Sequence, residues 1–340
     1  MVVFSCLKRH WRRAWCWPVE VRVAAFFGAV LAMGLALGLP ANLPDRPSLE
    51  FVHRHFFSPL LLAFLLQSCL PLALGRRRRI DDPLLMLKLF PFMVLVVFMH
   101  FNLKAWMPLV NPQLHDEFFH RTDQTVWPIV TFLGRVRQVV ADSLPVDMDP
   151  AYHCLFLGIF FVSVSAHAVL DSSRGQRQLV LGLSLILLVG GLLYWVMPAV
   201  GPFLFQESLN AHSHRAQMHM LKMFAQVYDT HRLPQGYFTA PLAAMPSLHV
   251  AHALFFTLLA YQRVRGLFYL LLPCLLWFLV ESVASGWHYV IDIGFGAGLA
   301  VYCLRLTQRL LPEQAGDLEG PHLRAEPDAT RLIPALATRS

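Results

Sequence analysis

Long apolar stretches separated by short basic segments constrain the fold of this chain more than any other feature of its sequence. Each stretch is close to the ~20 residues that an α-helix needs to cross the hydrocarbon core of a bilayer. About eight occur, at residues 23–40, 57–75, 84–104, 151–171, 178–200, 246–262, 266–284 and 288–306. Only 14% of the residues are charged, against about 25% in soluble domains. The sequence therefore predicts an all-α, multi-pass membrane helix bundle with about eight transmembrane helices.

The basic residues predict the orientation of this bundle. The N-terminal segment is rich in arginine and tryptophan, which is typical of a segment at a membrane surface. If it is cytoplasmic, every second loop contains arginines, at 76–79, 174–177, 263–265 and 305–309. Loops of this kind lie on the cytoplasmic side of membrane proteins. We therefore expect a plasma or inner membrane protein with both termini in the cytoplasm.

The remaining loops are then expected on the outer face, where they differ in character. Segment 105–150 alternates charged and apolar residues, which predicts short amphipathic helices lying on the membrane surface. Segment 201–245 contains prolines and a glycine, which predicts an irregular loop with one short helix near 209–228. Both segments would therefore cover the outer ends of the spanning helices.

Two histidines are expected to meet at this outer face. The chain between His249 and His288 is about long enough to cross the bilayer, turn and return. His288 and Asp292 are four residues apart and share one side of the last helix. An aspartate inside a span requires a partner, and a neighbouring carboxylate orients an imidazole and stabilises its cation. A nucleophile, an orienting carboxylate and a second histidine as acid are the groups that covalent phosphoryl transfer requires, although each residue alone could simply pack.

An anion site is a further possibility at the start of the helix that carries His249. Pro246 suits a first helical turn, which would leave the backbone N–H groups of Ser247 and Leu248 free to bind phosphate. The Ser247 hydroxyl could also donate. The alternative interpretation of the same residues is a plain helix cap.

These residues resemble the signature motifs of a known family. The Pro-Ser-Leu-His segment 246–249 and the Gly-Trp-His segment 286–288 followed by Asp292 are similar to the second and third motifs of the type 2 phosphatidic acid phosphatase superfamily. The leucine before His249 and the tyrosine after His288 resemble its inositol-phosphorylceramide-synthase-like branch more closely. The Pro-rich segment 194–202 is similar to the upstream motif of that branch.

The resemblance implies a mechanism and a division of the chain. His288 would attack phosphorus and form a phosphohistidine, Asp292 would hold His288, and His249 would protonate the leaving oxygen. Residues 84–307 would form a six-helix, phosphatase-like catalytic core. Residues 1–83 would add a basic segment and two extra transmembrane helices, and residues 308–340 a cytoplasmic tail. The residues expected to bind substrate are Ser247, Leu248, Tyr194, Gly201, Pro202, Gly286 and Arg215.

The chain also departs from the family's pattern in its cations. The superfamily's phosphatases carry a Lys-x6-Arg-Pro motif, which is missing near 194–203, and an arginine at the position of Ser282. Such cations normally meet the charge of a transferring phosphoryl group. A phosphodiester carries one fewer negative charge, so the departure favours transfer of a lipid head group. The candidate replacements in the outer loop are Arg215, Lys222 and Arg232.

Histidines 212, 214, 219 and 231 lie near these cations and invite a metal interpretation. A histidine-rich outer loop is more often simply solvated, and we expect neither a metal nor a cofactor. The expected partners are a membrane lipid substrate and a lipid or water acceptor, without nucleic acid. The main hypothesis is a membrane phosphotransferase acting on phospholipids or lipid phosphates. The alternatives are a lipid phosphate phosphatase and a non-catalytic transporter, which would instead place broken helices and polar groups near the bilayer midplane.

Overall fold

The computed structural model describes residues 17–73, 82, 84–144, 148–205 and 211–311. Within these ranges all regular secondary structure is helical, and the multi-pass membrane bundle is confirmed. Three features predicted from the sequence lie outside the described residues. They are most of the N-terminal basic segment, the arginines at 76–79, and the tail beyond residue 311.

The first half of the chain forms short and long helices in alternation. Its helices are α1 (Val19–Ala36), α2 (Arg46–Val52), a π-helical turn (His53–Phe57), α3 (Ser58–Ala73), α4 (Leu85–Ala105), α5 (Met107–Val110), α6 (Asp116–Thr125) and α7 (Trp127–Ser143). The second half contains α8 (Met148–Leu170), α9 (Ser173–Val196), a short 3₁₀ turn (Pro202–Leu204), α10 (Ala211–Thr230), α11 (Leu248–Arg263), α12 (Arg265–Ala284) and α13 (Val290–Leu310).

Seven of the described helical segments are long and apolar enough to cross a membrane. They are α1, α2 with α3 (Arg46–Cys69), α4, α8 (Pro150–Leu170), α9, α12 and α13. The eighth predicted span corresponds to α11, which has only 16 residues. At 1.5 Å per residue this helix is ~24 Å long, less than the ~30 Å of a hydrocarbon core. The helix is shorter than predicted because Pro246 and Ser247 belong to the turn before it.

Helix α9 is the centre of the bundle. Most of its side chains are buried, and it packs against α4, α8, α11 and α13. Gly182 and Gly190 on α9 allow this close packing, because a Cβ atom at either position would collide with Phe255 or Leu248 of α11. Helix α11 is thereby enclosed between α9 and its other neighbours α8, α12 and α13.

The two N-terminal spans pack on the outside of this core. Helix α1 lies against α4, and α3 lies against α8 and α4. Hydrogen bonds and an ion pair join the chain to this core near both ends of α1. The Asn42 backbone N–H donates to Asn102 Oδ1 at 2.7 Å, and Arg177 donates to both carboxylate oxygens of Glu20 at 2.8 and 2.9 Å. The N-terminal helices are therefore an integral wall of the molecule.

Amphipathic helices cover the end of the bundle where His249 and His288 lie, which we call the histidine end. Helices α6 and α7 occupy the segment for which the sequence predicts such helices, and both keep large apolar side chains exposed, including Phe118 and Phe132. The buried Arg137 of α7 donates from Nε to Glu281 of α12 at 3.0 Å. The helix predicted near 209–228 is α10. Of these helices, α10 contributes Met220 to the lining of the cavity that contains the two histidines.

Candidate active site

His288 lies in the short turn between α12 and α13. The turn depends on Gly286, whose φ of +76° favours glycine. The His288 backbone N–H donates to the carbonyl of Ser282 at 3.0 Å, and the side chain is 7% exposed. A helix precedes the turn and another follows it, so backbone contacts on each side fix the position of His288.

Asp292 lies four residues later, in the first turn of α13, and is fully buried. Its Oδ2 accepts the backbone N–H of Tyr289 at 2.9 Å and lies 3.5 Å from Nδ1 of His288. The second distance is longer than a good hydrogen bond, yet Nδ1 has no hydrogen-bond partner among the described residues. Catalytic hydrogen bonds often tighten only when substrate is bound. Asp292 is therefore placed to orient Nδ1 of His288 and leave Nε2 for chemistry.

His249 is the second residue of α11 and faces His288 from the neighbouring helix. The two ring centroids are 6.4 Å apart. The His249 ring packs against Phe156 and Tyr152 of α8, at centroid distances of 4.3 and 5.5 Å. Reacting atoms approach to about 3–3.5 Å before bonds change, so one phosphate group can contact both imidazoles. The three residues predicted to be catalytic thus lie together.

Ser247 forms a plain helix cap, and the prediction of a free backbone N–H at this residue is wrong. Its backbone N–H donates to the carbonyl of Asp292 at 3.2 Å, while its Oγ accepts the N–H of Val250 at 3.5 Å. Pro246 precedes the cap and is not in the first helical turn. The Ser247 bond to Asp292 instead joins the start of α11 to the start of α13. Gly296 allows this approach, because a Cβ atom there would collide with the Ser247 carbonyl.

His249 and His288 open onto a cavity of about 250 Å³. Its other walls contain many aromatic side chains and come from α2, the π-helical turn, α4, α8, α9, α10, residues 239–243 and the turn at Trp287. The main aromatic contributors are Phe51, Phe56, Phe101, Phe156, Phe160 and Trp287. Two residues predicted to bind substrate, Tyr194 and Leu248, also line it. The cavity is therefore suited to an apolar molecule whose phosphate lies between the histidines.

The other residues predicted to bind substrate lie outside the cavity lining. Gly201, with a φ of +125°, packs under the backbone of Trp287, where a Cβ atom would lie 3.0 Å from the carbonyl oxygen. Pro202 starts the 3₁₀ turn that follows. The Gly286 carbonyl accepts from Gln217 Nε2 at 3.0 Å. Arg215 is exposed on α10. Gly201 and Gly286 therefore shape the turn that carries His288, and none of these four residues lines the cavity.

Sequence reasoning missed two buried carboxylates on α6. Asp116 accepts the N–H groups of Val200 and Gly201 at 3.0 and 2.8 Å and the hydroxyl of Tyr289 at 3.0 Å. Asp123, 1% exposed, accepts the N–H of Val290 at 3.0 Å. The two aspartates are seven residues apart and share one face of α6. That spacing is visible in the sequence, but their partners are distant along the chain and could not be predicted.

Burial governs the protonation of these two carboxylates. It raises the pKa of Asp116 above its usual range and that of Asp123 to about 6, although the N–H donors oppose the shift. The charge of nearby Asp292 raises the pKa of both further. Asp123 is therefore ionised at neutral pH, where its charge favours the N-terminus of α13, and becomes neutral as the pH falls below about 6.

We expect Asp116→Asn to lower kcat while leaving KM nearly unchanged. All three donors approach Oδ1, and the Val200 N–H also lies 3.1 Å from Oδ2. The amide lacks the negative charge that holds these donors and turns an NH2 group towards one of them, so Tyr289 and the adjacent His288 lose support. A displacement of about 1 Å can lower a catalytic rate by about 100-fold. The measurement is steady-state turnover beside thermal unfolding, with Asp229→Asn, at an exposed aspartate of α10, as the matched control. Unchanged kcat in a folded variant would contradict the role of Asp116.

Lys104 is a third residue that sequence reasoning missed, because it lies in an apolar stretch that is typical of a membrane span. It is near the end of α4 and lines the same cavity as His249 and His288. The outer-loop cations Lys222 and Arg232, proposed with Arg215 to meet the phosphate charge, are exposed. Among the described residues, no group of three histidine, cysteine or acidic side chains is arranged to hold a metal ion.

The comparisons with known proteins give one match. A family model described as the PAP2 superfamily matches residues 136–306, half of the chain. The matched segment begins within α7, ends within α13, and includes His249, His288 and Asp292. Helices α1 to α6 precede it. No curated protein and no solved structure matches the chain.

Proposed function

The chain belongs to the PAP2 superfamily, whose members act on phosphate esters as phosphatases or phosphotransferases, and we propose that it transfers a phosphate-linked head group between membrane lipids. The observation that carries this proposal is the convergence of His288 and His249 on one aromatic cavity, with the buried Asp292 beside His288. It supplies a nucleophile, its orienting carboxylate and an acid within reach of one phosphate.

The proposed reaction has two steps. In the first, Nε2 of His288 attacks phosphorus, the bond from phosphorus to the lipid oxygen breaks, and His249 gives that oxygen a proton. In the second, His249 takes the proton of an acceptor hydroxyl, whose oxygen attacks phosphorus while the phosphorus–nitrogen bond breaks. Asp292 holds Nδ1 of His288 and stabilises the positive charge of the ring during both steps. Protons and phosphorus bonds balance over the cycle.

Two observations favour a phosphodiester substrate over a phosphate monoester. Ser282, at the position of the superfamily's arginine, is fully buried, and its hydroxyl lies 3.4 Å from that of Tyr152. Lys104 is the one lysine or arginine among the described residues lining the cavity. A dianionic monoester requires more cations than this in the transition state. The aromatic walls favour a lipid acceptor over water, and the motifs resembling the inositol-phosphorylceramide-synthase-like branch favour the same transfer.

The proposal is tested by following a phosphorus label from a phospholipid. The purified full chain is placed in vesicles containing labelled phospholipid and an unlabelled lipid alcohol, with His288→Ala as the control. We expect label to appear in a second lipid only with the wild-type protein. Release of label as free phosphate or as a water-soluble phosphate ester would identify a hydrolase. Absence of any His288-dependent movement of label would contradict an enzymatic function on lipids.

His249→Ala should separate the acid from the nucleophile. Removing a general acid typically costs 10²–10⁴-fold, but a leaving group that departs without a proton does not require it. We therefore expect a large loss of kcat with an alkyl phosphodiester lipid and a loss below about tenfold with a nitrophenyl phosphodiester. Parallel kinetics with the two substrates provide the measurement. Equal losses for both leaving groups would exclude His249 as the acid.

We also propose that the histidine end faces the outside of the membrane, because the described arginines of the alternate loops lie at the other end. Cysteines introduced singly into a cysteine-free chain test this orientation. Asp229→Cys, at the histidine end, should react with a membrane-impermeant maleimide applied to intact cells. Gln262→Cys, an exposed position at the opposite end, should react only after the membrane is permeabilised. The reverse labelling pattern would place the site in the cytoplasm.

A further inference from the structure

Lys104 brings an unmatched positive charge to the catalytic cavity. It lies one residue before the end of α4 and lines the same space as His249 and His288. No aspartate or glutamate is found among the described residues that line this space. The described ion pairs do not include Lys104 either. An ammonium group in a largely apolar cavity is costly without a partner, so its environment is complete only when an anion is bound.

The position of this ammonium group is restrained by the packing of α4 on α9. Its Nζ lies 5.6 Å from the ring centroid of Tyr194, a distance at which a cation is attracted to an aromatic face. Tyr194 is 3% exposed, and its neighbour Trp195 donates from Nε1 to the Leu103 carbonyl at 2.7 Å. The residues on both sides of the contact are thus fixed, and the charge is held at the cavity wall.

We propose that Lys104, supported by the ring of Tyr194, binds the phosphate of a singly charged phosphodiester. This inference rests on the proposed function and names the group that meets the substrate's charge. Lys104 donates to a non-bridging oxygen and keeps its own proton throughout. The bonds that form and break are those already assigned to His288 and His249. One ammonium group balances the one negative charge of a diester.

The other cationic side chains described at the histidine end either form an ion pair with another residue or do not line the cavity. Arg137 donates to both carboxylate oxygens of Glu281 at 3.1 and 3.0 Å. Arg215, Lys222 and Arg232 are exposed on or just after α10 and do not line the cavity. Among the described residues, Lys104 alone combines a fixed charge with access to the space between the two histidines.

Lys104 lies outside the segment that matches the superfamily, since α4 precedes residue 136. The substrate site is therefore assembled from two parts of the chain. Helices α11 and α13 supply the reacting groups, while α4 supplies the charge that holds the phosphate between them.

The test compares Lys104→Met, which removes the charge at similar length, with Lys104→Arg, which keeps it. Lys88→Met, at an exposed lysine of the same helix that does not line the cavity, is the matched control. We expect Lys104→Met to lower kcat/KM for a phosphodiester lipid by about 10²–10³-fold. Lys104→Arg should retain at least about a tenth of the activity, and the control should equal the wild type. Wild-type kcat/KM in Lys104→Met would overturn the proposal.

A binding measurement reports on charge recognition independently of turnover. The probes are a short-chain anionic phosphodiester and its neutral methyl triester, titrated by calorimetry against the wild type and Lys104→Met. We expect the variant to bind the diester at least tenfold more weakly and the triester equally well. Equal weakening of both ligands would show that Lys104 only supports the fold, which overturns its role. If the wild type shows no His288-dependent turnover while the diester alone is weakened, the proposed function fails and the phosphate site stands.

Discussion

Replacing His288 by alanine is expected to abolish turnover and to remove all covalent phosphate from the protein. No other described residue places an imidazole beside Asp292 at the mouth of the cavity. The variant should remain folded, because His288 lies in a turn and its backbone bond to Ser282 does not need the side chain. Labelled lipid, rapid quenching in alkali and counting of protein-bound label provide the measurement, since phosphohistidine is lost in acid.

The control for this experiment is His219→Ala, which removes an exposed histidine of α10 at the same end of the bundle. It should label and turn over as the wild type does. Label recovered on His288→Ala at the wild-type level would contradict the assignment. His249 would then become the candidate nucleophile, because its ring lies 6.4 Å from that of His288 and lines the same cavity.

Asp292→Asn should slow formation of the phosphoenzyme by orders of magnitude. Asparagine keeps the shape and can still accept the Tyr289 N–H, so the start of α13 is preserved. Nδ1 of His288 faces the same oxygen as the Tyr289 N–H, so the amide oxygen that keeps the Tyr289 bond no longer carries the charge that stabilises the His288 imidazolium. Neutralising the orienting aspartate of a serine protease lowers kcat by about 10⁴-fold, and we expect a loss of similar order here.

The measurement is the single-turnover rate of labelling, with thermal unfolding measured in parallel. Asp142→Asn, at an exposed aspartate of α7, is the matched control and should leave the rate unchanged. A loss of less than tenfold in a folded Asp292→Asn protein would show that His288 does not depend on this carboxylate. Asp116 would then be the next carboxylate to test, through its bond to the Tyr289 hydroxyl.

The bundle could be predicted because the apolar stretches alone set the length and type of its helices. The approach of His249 to His288 could be predicted as well. Two consecutive helices that cross the membrane in opposite directions return the chain to the face where it started. The start of α11 could be predicted only as two alternatives, because a plain helix cap and a free backbone N–H at Ser247 suit the same residues. The bond from the Ser247 N–H to the Asp292 carbonyl excludes the free N–H, and sequence spacing gives no information on such a contact.

The residues that were missed share one physical cause. Asp116 and Asp123 lie in a segment whose sequence predicts a polar surface helix. Their hydrogen-bond partners include Tyr289 and Val290, at the start of α13. Lys104 reads as a charge at the end of a span, and only the packing of α4 on α9 brings it to the cavity. Periodicity and local spacing reveal the face of a helix and its neighbours within a few turns. They do not reveal which distant helix that face meets.

Part of the cavity wall comes from a different part of the chain than the two histidines proposed to react. Phe51, Phe56 and Lys104 precede the segment shared with the superfamily, whereas His249 and His288 lie within it. Under the proposed function, substitutions in the early helices would therefore reshape this part of the wall, and with it the choice of substrate, while His249 and His288 keep their places.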